Sequence, residues 1–122
     1  MKIEDIKFKA KRLDGKGWVE GNLRTSKSGN AMIIPIEYSG TFPVDPSSIC
    51  QFTGMKDSEG NEIWEGDIVH DSYDLLDIDN LYEVVYIKEE GTFAFKSLDK
   101  VDNYEPFVNL IEIYVIGNKF DK

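Results

Sequence analysis

The sequence predicts a mainly β protein with a single domain, built as a small barrel or sandwich. Its 122 residues are enough for one hydrophobic core and too few for an eight-stranded (β/α) barrel. A content of 41% hydrophobic and 30% charged residues is typical of a globular protein. Short alternating runs separated by glycine-containing turns indicate strands, and no long segment has the helical period.

The first predicted element is a β-hairpin with one apolar and one basic face. The apolar residues Ile6, Phe8 and Ala10 alternate with the basic set, which is Lys7, Lys9 and Lys11. Residues 14–17 supply a glycine-rich turn, and Trp18 opens the returning strand. The apolar run at residues 31–38 contains Pro35, which predicts a strand at a sheet edge or a bulge.

The remaining elements are short strands and connections. We predict strands near residues 49–53, 63–64 and 68–69, and a clear hairpin from residues 81–88 and 92–98. A β-branched strand at residues 110–116 ends before Gly117. Residues 70–80 and 99–109 are predicted connections, the first with one helical turn at Leu75, Leu76 and Ile78.

The charge balance excludes a general affinity for nucleic acid. There are 14 basic and 23 acidic side chains, and a net charge of −9 repels phosphate backbones. The charges are unevenly distributed, because residues 1–30 hold eight basic and four acidic side chains. Residues 57–83, called the acidic belt below, hold ten acidic side chains and neither Lys nor Arg.

Cysteine content and hydropathy indicate a cytoplasmic protein without a membrane partner. The single cysteine, Cys50, excludes an internal disulfide, and its neighbours Ile49 and Phe52 predict a buried thiol. The longest apolar run, AMIIPI, is far shorter than the roughly 20 residues of a membrane span. The amino terminus has no apolar run of signal-peptide length.

No catalytic or cofactor motif is complete. Gly15, Gly17 and Gly21 come near a dinucleotide fingerprint, but their spacing is wrong and a strand follows them. Gly54 and Gly60 lack the Lys-Ser/Thr of a phosphate-binding loop. The lone histidine, His70, has no nucleophile motif to serve, so we expect no catalytic residue and no cofactor.

One acidic cluster has the composition of a cation site. It consists of Asp71, Asp74, Asp77 and Asp79. The spacing lacks the glycine and the terminal glutamate of a calcium-binding loop, so we predict a solvated acidic loop without a metal ion. Another interpretation is electrostatic, in which the acidic belt docks on the basic face of the same or a neighbouring chain.

The segment QFTGMKDSEGNEIWEGDIV, residues 51–69, resembles the signature of the YopX family of phage and prophage proteins. The residues that carry the resemblance are Phe52, Thr53, Gly54, Lys56, Asp57, Gly60, Ile63, Trp64, Glu65, Gly66, Asp67, Ile68 and Val69. The opening KFKAKRLDGKGWVEG and the closing IEIYVIGNKF are similar to the family's ends, whereas residues 70–81 and 99–109 depart from it.

The resemblance implies a fold and a context but no mechanism. It implies an SH3-like small barrel at residues 49–122, preceded by an amino-terminal β-hairpin and edge strand at residues 1–48. The family has no established activity, so it supplies no catalytic, cofactor or metal-binding residue. Its phage origin places the protein in the cytoplasm of a bacterial host.

The signature residues have the physical properties of turns and core. Gly54, Gly60 and Gly66 stand where chain reversals need a positive φ, and Asp57 and Asp67 are suited to accept backbone hydrogen bonds. Between these turns, Trp64 is expected to be mostly buried. The signature therefore indicates folding rather than binding.

These observations predict a non-enzymatic interaction or structural module that self-associates. The basic hairpin would join a homo-oligomer, and a host or phage protein is a further expected partner. Two alternatives stay open at this point. One is an acidic decoy that binds a host nucleic-acid-binding protein, and the other is a metal-dependent enzyme that uses the Asp71–Asp79 cluster.

Overall fold

Alternating side chains and tight turns make most described residues part of strands. The structure, a computed structural model, describes residues 2–35, 39–71, 81–99, 103–106 and 112–121. The strands in chain order are β1 (Phe8–Lys11), β2 (Trp18–Thr25), β3 (Ala31–Ile34), β4 (Phe42–Val44), β5 (Cys50–Lys56), β6 (Glu62–Trp64), β7 (Asp67–Asp71), β8 (Leu81–Ile87), β9 (Thr92–Ser97), β10 (Tyr104–Pro106) and β11 (Ile113–Asn118). Two 3₁₀ turns, Ile3–Asp5 and Pro46–Ser48, complete the described elements. The mainly β prediction is confirmed.

The strands form two antiparallel sheets rather than a closed barrel. The six-stranded sheet has the order β4-β3-β2-β1-β5-β6, and the five-stranded sheet has the order β10-β9-β8-β7-β11. Closure would require the end strands of one sheet to pair. Instead, the outer edge of β11 is hydrogen-bonded to the side chains of Asp57 and Ser58. The predicted barrel is therefore not closed, and the likeness to SH3 domains stays a prediction.

The chain divides into two compact units, Met1–Phe52 and Thr53–Lys122, and β5 runs across the boundary. In the first unit, β1 and β2 form the predicted hairpin, in which Lys11 pairs with Trp18. Strands β3 and β4 continue it as an antiparallel meander. The buried cluster of this unit contains Ala10, Val19, Ala31, Ile33 and Val44.

The apolar strand of the first unit differs from its predicted form. We predicted a strand at residues 31–38, at a sheet edge or a bulge because of Pro35. In the structure β3 ends at Ile34, before the proline, and lies between β2 and β4. The edge strand next to β3 is β4, which contains Pro43. Proline thus limits the length of β3 instead of its position in the sheet.

The second unit is built on the predicted hairpin of β8 and β9. The edge-on rings of Tyr82 and Phe95 lie 6.2 Å apart within its buried cluster, which also contains Ile63, Val69, Val84 and Ile113. Trp64 is 5% exposed, so its predicted burial is confirmed.

The carboxyl-terminal strand ends later than predicted, and residues 110–111 of the predicted strand lie outside the described residues. Strand β11 continues through Gly117 to Asn118 because its register with β7 shifts between Val115 and Gly117. Such a bulge inserts one extra residue without ending the ladder. Strand β10 lies within the segment predicted as a connection. The helical turn predicted at Leu75, Leu76 and Ile78 lies outside the described residues.

Among the described residues, no helix has the length and apolar character needed to cross a membrane.

Candidate functional site

The turn between β5 and β6 is organised around the carboxylate of Asp57. Its Oδ1 accepts hydrogen bonds from the backbone N–H of Glu59 at 2.9 Å and of Asn61 at 2.8 Å. Its Oδ2 accepts from the Asn61 side-chain amide at 3.2 Å and from the Val115 N–H at 2.9 Å. Burial raises the pKa of Asp57, but the hydrogen bonds from Val115, Asn61 and Glu59 together hold it below its ordinary value.

Asp57 and Ser58 also occupy the outer edge of β11. The Ile113 N–H donates to the Ser58 hydroxyl at 3.2 Å, and the Ser58 N–H donates to the Ile113 carbonyl at 3.0 Å. Together with the bond from Val115 to Asp57, these contacts satisfy backbone groups that face away from β7. An edge strand capped in this way is a poor template for another strand.

A second carboxylate, Asp67, holds the following turn. It is 2% exposed, and it accepts hydrogen bonds from the Trp64 N–H at 2.8 Å and the Asn118 side-chain amide at 3.0 Å. Gly66 donates to the Val84 carbonyl at 2.8 Å and accepts from the Lys119 N–H at 2.9 Å. The predicted turn caps at Asp57 and Asp67 are confirmed.

The signature and the carboxyl-terminal motif therefore bind one another. Gly54, Gly60 and Gly66 have φ values of 83°, 85° and 87°. Gly60 and Gly66 lie in turns, as predicted, whereas Gly54 lies within strand β5 and not at a chain reversal. The carboxylates accept hydrogen bonds from backbone and amide groups, which makes them structural acceptors rather than proton-transfer groups. This arrangement agrees with a folding role for the signature.

The acidic belt is not a continuous charged surface where it is described. Asp57, Asp67 and Asp71 are all buried, whereas Glu59 is exposed. Carboxylates turned into the fold do not present charge to a partner. The acidic decoy therefore gains no support from the described part of the belt.

The proposed cation cluster is described only at Asp71, at the end of β7. Asp74, Asp77 and Asp79 lie outside the described residues. Within the described residues, no group of three or more His, Cys, Asp or Glu side chains is placed to hold a metal ion. The absence of a metal site at the full cluster stays a prediction.

His70 and Cys50 lie in separate strands. His70 is half-buried in β7, opposite Tyr114 of β11. Cys50 is fully buried, as predicted, and its thiol donates to the Ser48 carbonyl at 3.3 Å.

The basic face of the hairpin is packed against aromatic rings. The ammonium of Lys7 lies 4.9 Å from the centre of the Phe52 ring, and those of Lys9 and Lys11 lie 4.9 and 5.6 Å from Trp18. Lys7 also lies 3.8 Å from Glu20. These contacts stabilise the first unit and place the lysines on one face, as the alternation predicted.

The second unit has an aromatic groove that the sequence did not reveal. We call this site of about 830 Å³ the aromatic groove; it is lined by Thr53, Met55, Val85, Tyr86, Ile87, Glu89, Glu90, Thr92, Phe93, Ala94, Lys96, Tyr104 and Pro106. Its size is within the range of about 300–1,000 Å³ that is usual for ligand sites. Met55 is 51% exposed, Tyr86 47% and Tyr104 43%.

The groove combines side chains from three places in the sequence. Tyr86 and Phe93 face each other across the β8–β9 hairpin, with edge-on rings 5.2 Å apart. Tyr104 is brought beside Lys96 by the pairing of β10 with β9. The pairing of Tyr86 with Phe93 follows from the hairpin register, but the contribution of β10 had no sequence signal.

Comparison with curated proteins gave no match to this chain. A family model described as YopX protein matches residues 7–122. This range includes the signature turn, the carboxyl-terminal strand bound to it, and both strands of the amino-terminal hairpin. The chain belongs to the YopX family.

Proposed function

We propose that this protein is a non-enzymatic interaction module of phage or prophage origin that self-associates. The observation that carries the interaction role is the aromatic groove, where large apolar side chains stand exposed together. Clustered exposed apolar groups on a soluble domain are typical of protein-binding sites. Membership of the YopX family supports the phage context.

A second observation supports self-association. The first unit, Met1–Phe52, contains eight basic and six acidic residues, whereas Thr53–Lys122 contains six basic and 17 acidic residues. Surfaces of opposite charge on one chain steer copies of that chain toward each other. The interior of the hairpin contributes little to such a contact, because Phe8 and Ala10 pack within their own unit.

The hydrogen bonds accepted by the carboxylates of the signature support the non-enzymatic assignment. Asp57 and Asp67 are occupied by hydrogen bonds from groups that cannot take part in chemistry. A general acid or base needs access to a substrate proton instead. A host or phage protein as a second partner, a cytoplasmic location and the SH3-like kinship remain predictions.

Sedimentation equilibrium of the full chain over a dilution series tests self-association. We expect an average mass above 13.9 kDa that falls on dilution and falls further as salt is raised. Apolar burial would retain part of the association at high salt. A mass of 13.9 kDa at every concentration and at low salt would contradict the proposal.

A further inference from the structure

The tip of the β1–β2 hairpin presents one large apolar side chain on a rigid turn. The hairpin tip, residues 11–17, holds Leu13 with 65% of its surface exposed. An exposed leucine alone is ordinary. What distinguishes Leu13 is the number of hydrogen bonds that fix the backbone beneath it.

Hydrogen bonds within the turn and to the neighbouring chain hold the hairpin tip. The Leu13 N–H donates to the Pro43 carbonyl at 3.0 Å, and the Arg12 N–H donates to the Gly17 carbonyl at 2.9 Å. The Lys16 N–H donates to Asp14 at 3.0 Å, and the Gly15 N–H donates to the Arg12 carbonyl at 3.2 Å. A side chain on such a turn is presented with little conformational entropy left to lose on binding.

The charges of the hairpin tip and the aromatic groove are opposite. The tip contains Lys11, Arg12 and Lys16 against the single acidic residue Asp14, which pairs with Arg12. The groove lies in the acidic second unit, and its lining contains the exposed acidic pair Glu89 and Glu90 and one exposed basic residue, Lys96. An exposed apolar side chain on a basic turn thus complements an apolar groove whose lining has more acidic than basic residues.

We infer that the aromatic groove of one copy binds the hairpin tip of a second copy, with Leu13 seated between Met55, Tyr86 and Tyr104. Lys16 then lies toward Glu89 and Glu90. This inference rests on the proposed self-association and names its two surfaces. Because the two surfaces differ, the contact is head-to-tail, and a pair of copies retains one unused tip and one unused groove.

Complementation between two single variants tests this arrangement. Leu13→Asp disrupts the hairpin tip and leaves the aromatic groove intact. Met55→Asp disrupts the aromatic groove and leaves the hairpin tip intact. Both residues are exposed, so both variants should fold, as circular dichroism and thermal melting will verify. Ile116→Asp is the matched control, because Ile116 is 58% exposed and is not part of the groove lining.

We expect each variant alone to sediment at 13.9 kDa and their equimolar mixture to form a dimer of twice that mass. The dimer stops there because each chain has only one working surface. The Ile116→Asp control should associate like the wild type.

The other outcomes contradict this inference in distinguishable ways. If the wild type self-associates and both variants do so equally, the surfaces are wrong while self-association stands. If each variant is monomeric alone and the equimolar mixture is also monomeric, the contact is not head-to-tail between these surfaces. A monomeric wild type would overturn self-association itself.

Discussion

At the scale of single residues, the signature uses aspartate as a hydrogen-bond acceptor. Asp57 receives N–H bonds from its own turn and from Val115, and Asp67 receives them from Trp64 and Asn118. An ionised carboxylate has acceptor capacity for several donors, so one side chain fixes a turn and a distant strand together. The sequence predicted that both aspartates cap turns. It did not predict Val115 and Asn118 as partners, because contacts between distant residues depend on the register of β11.

The pKa of Asp57 makes stability depend on pH in a defined direction. Its folded pKa lies below its ordinary value, so the charged form is the one bound in the fold. The stabilisation is complete above about pH 4 and is lost as pH falls through the folded pKa. We expect Asp57→Asn to lower the free energy of unfolding at pH 7 and to flatten its decline in acid.

Urea unfolding between neutral and acidic pH measures this dependence. Glu59→Gln is the control, since Glu59 lies in the same turn with its side chain exposed. Parallel pH profiles for the wild type and Asp57→Asn would show that the Asp57 charge has no such role.

Substitution of Trp64 tests how much its burial stabilises the second unit. It is 5% exposed between two turns of the signature. Trp64→Ala should lower the free energy of unfolding by about 3–5 kcal/mol through lost burial and a residual cavity. Ile116→Ala, at a 58% exposed position, should change it by less than about 0.5 kcal/mol. Equal thermal midpoints for the two variants would contradict the burial of Trp64.

At the scale of elements, turns and hairpins follow from the sequence more closely than strand neighbours do. The hairpins β1–β2 and β8–β9 were predicted because alternation and glycine-containing turns are local signals. The position of β3 in the sheet was not predicted, because Pro35 indicates where a strand ends but not which strands lie beside it. The aromatic groove was missed for the same reason, since β10 reaches it through pairing with β9.

Gly21 illustrates a close approach between elements. A Cβ added there would lie 2.2 Å from the Ile34 carbonyl oxygen and 2.8 Å from the Pro35 Cα. Both are backbone atoms, so the backbone at Ile34 and Pro35 must move to accommodate a methyl group at residue 21. We expect Gly21→Ala to destabilise the first unit by about 3 kcal/mol.

Gly17→Ala is the comparison for this prediction. Gly17 has a positive φ of 95°, but an added Cβ would meet nothing within 4 Å. Its substitution should cost about 1–2 kcal/mol from backbone strain alone. Chemical denaturation of the two variants decides the matter, and a smaller loss for Gly21→Ala than for Gly17→Ala would refute the close approach.

At the scale of the whole molecule, the β class was predictable and the sheet arrangement was not. Length, alternation and turn residues indicate strands, but whether a sheet closes depends on what its end strands meet. Here the outer edge of β11 meets the side chains of Asp57 and Ser58. Residues of the family signature thus occupy the outer edge of the five-stranded sheet at β11.

The shared signature holds the fold together, and the proposed association uses other surfaces. The bond from Asn118 to Asp67 joins residues 51 positions apart and ties the signature to the carboxyl-terminal motif. A double-mutant cycle of Asp67→Ala and Asn118→Ala, followed by urea unfolding, measures this link directly. We expect a coupling free energy of about 1–3 kcal/mol. Losses that add to within about 0.3 kcal/mol would contradict it.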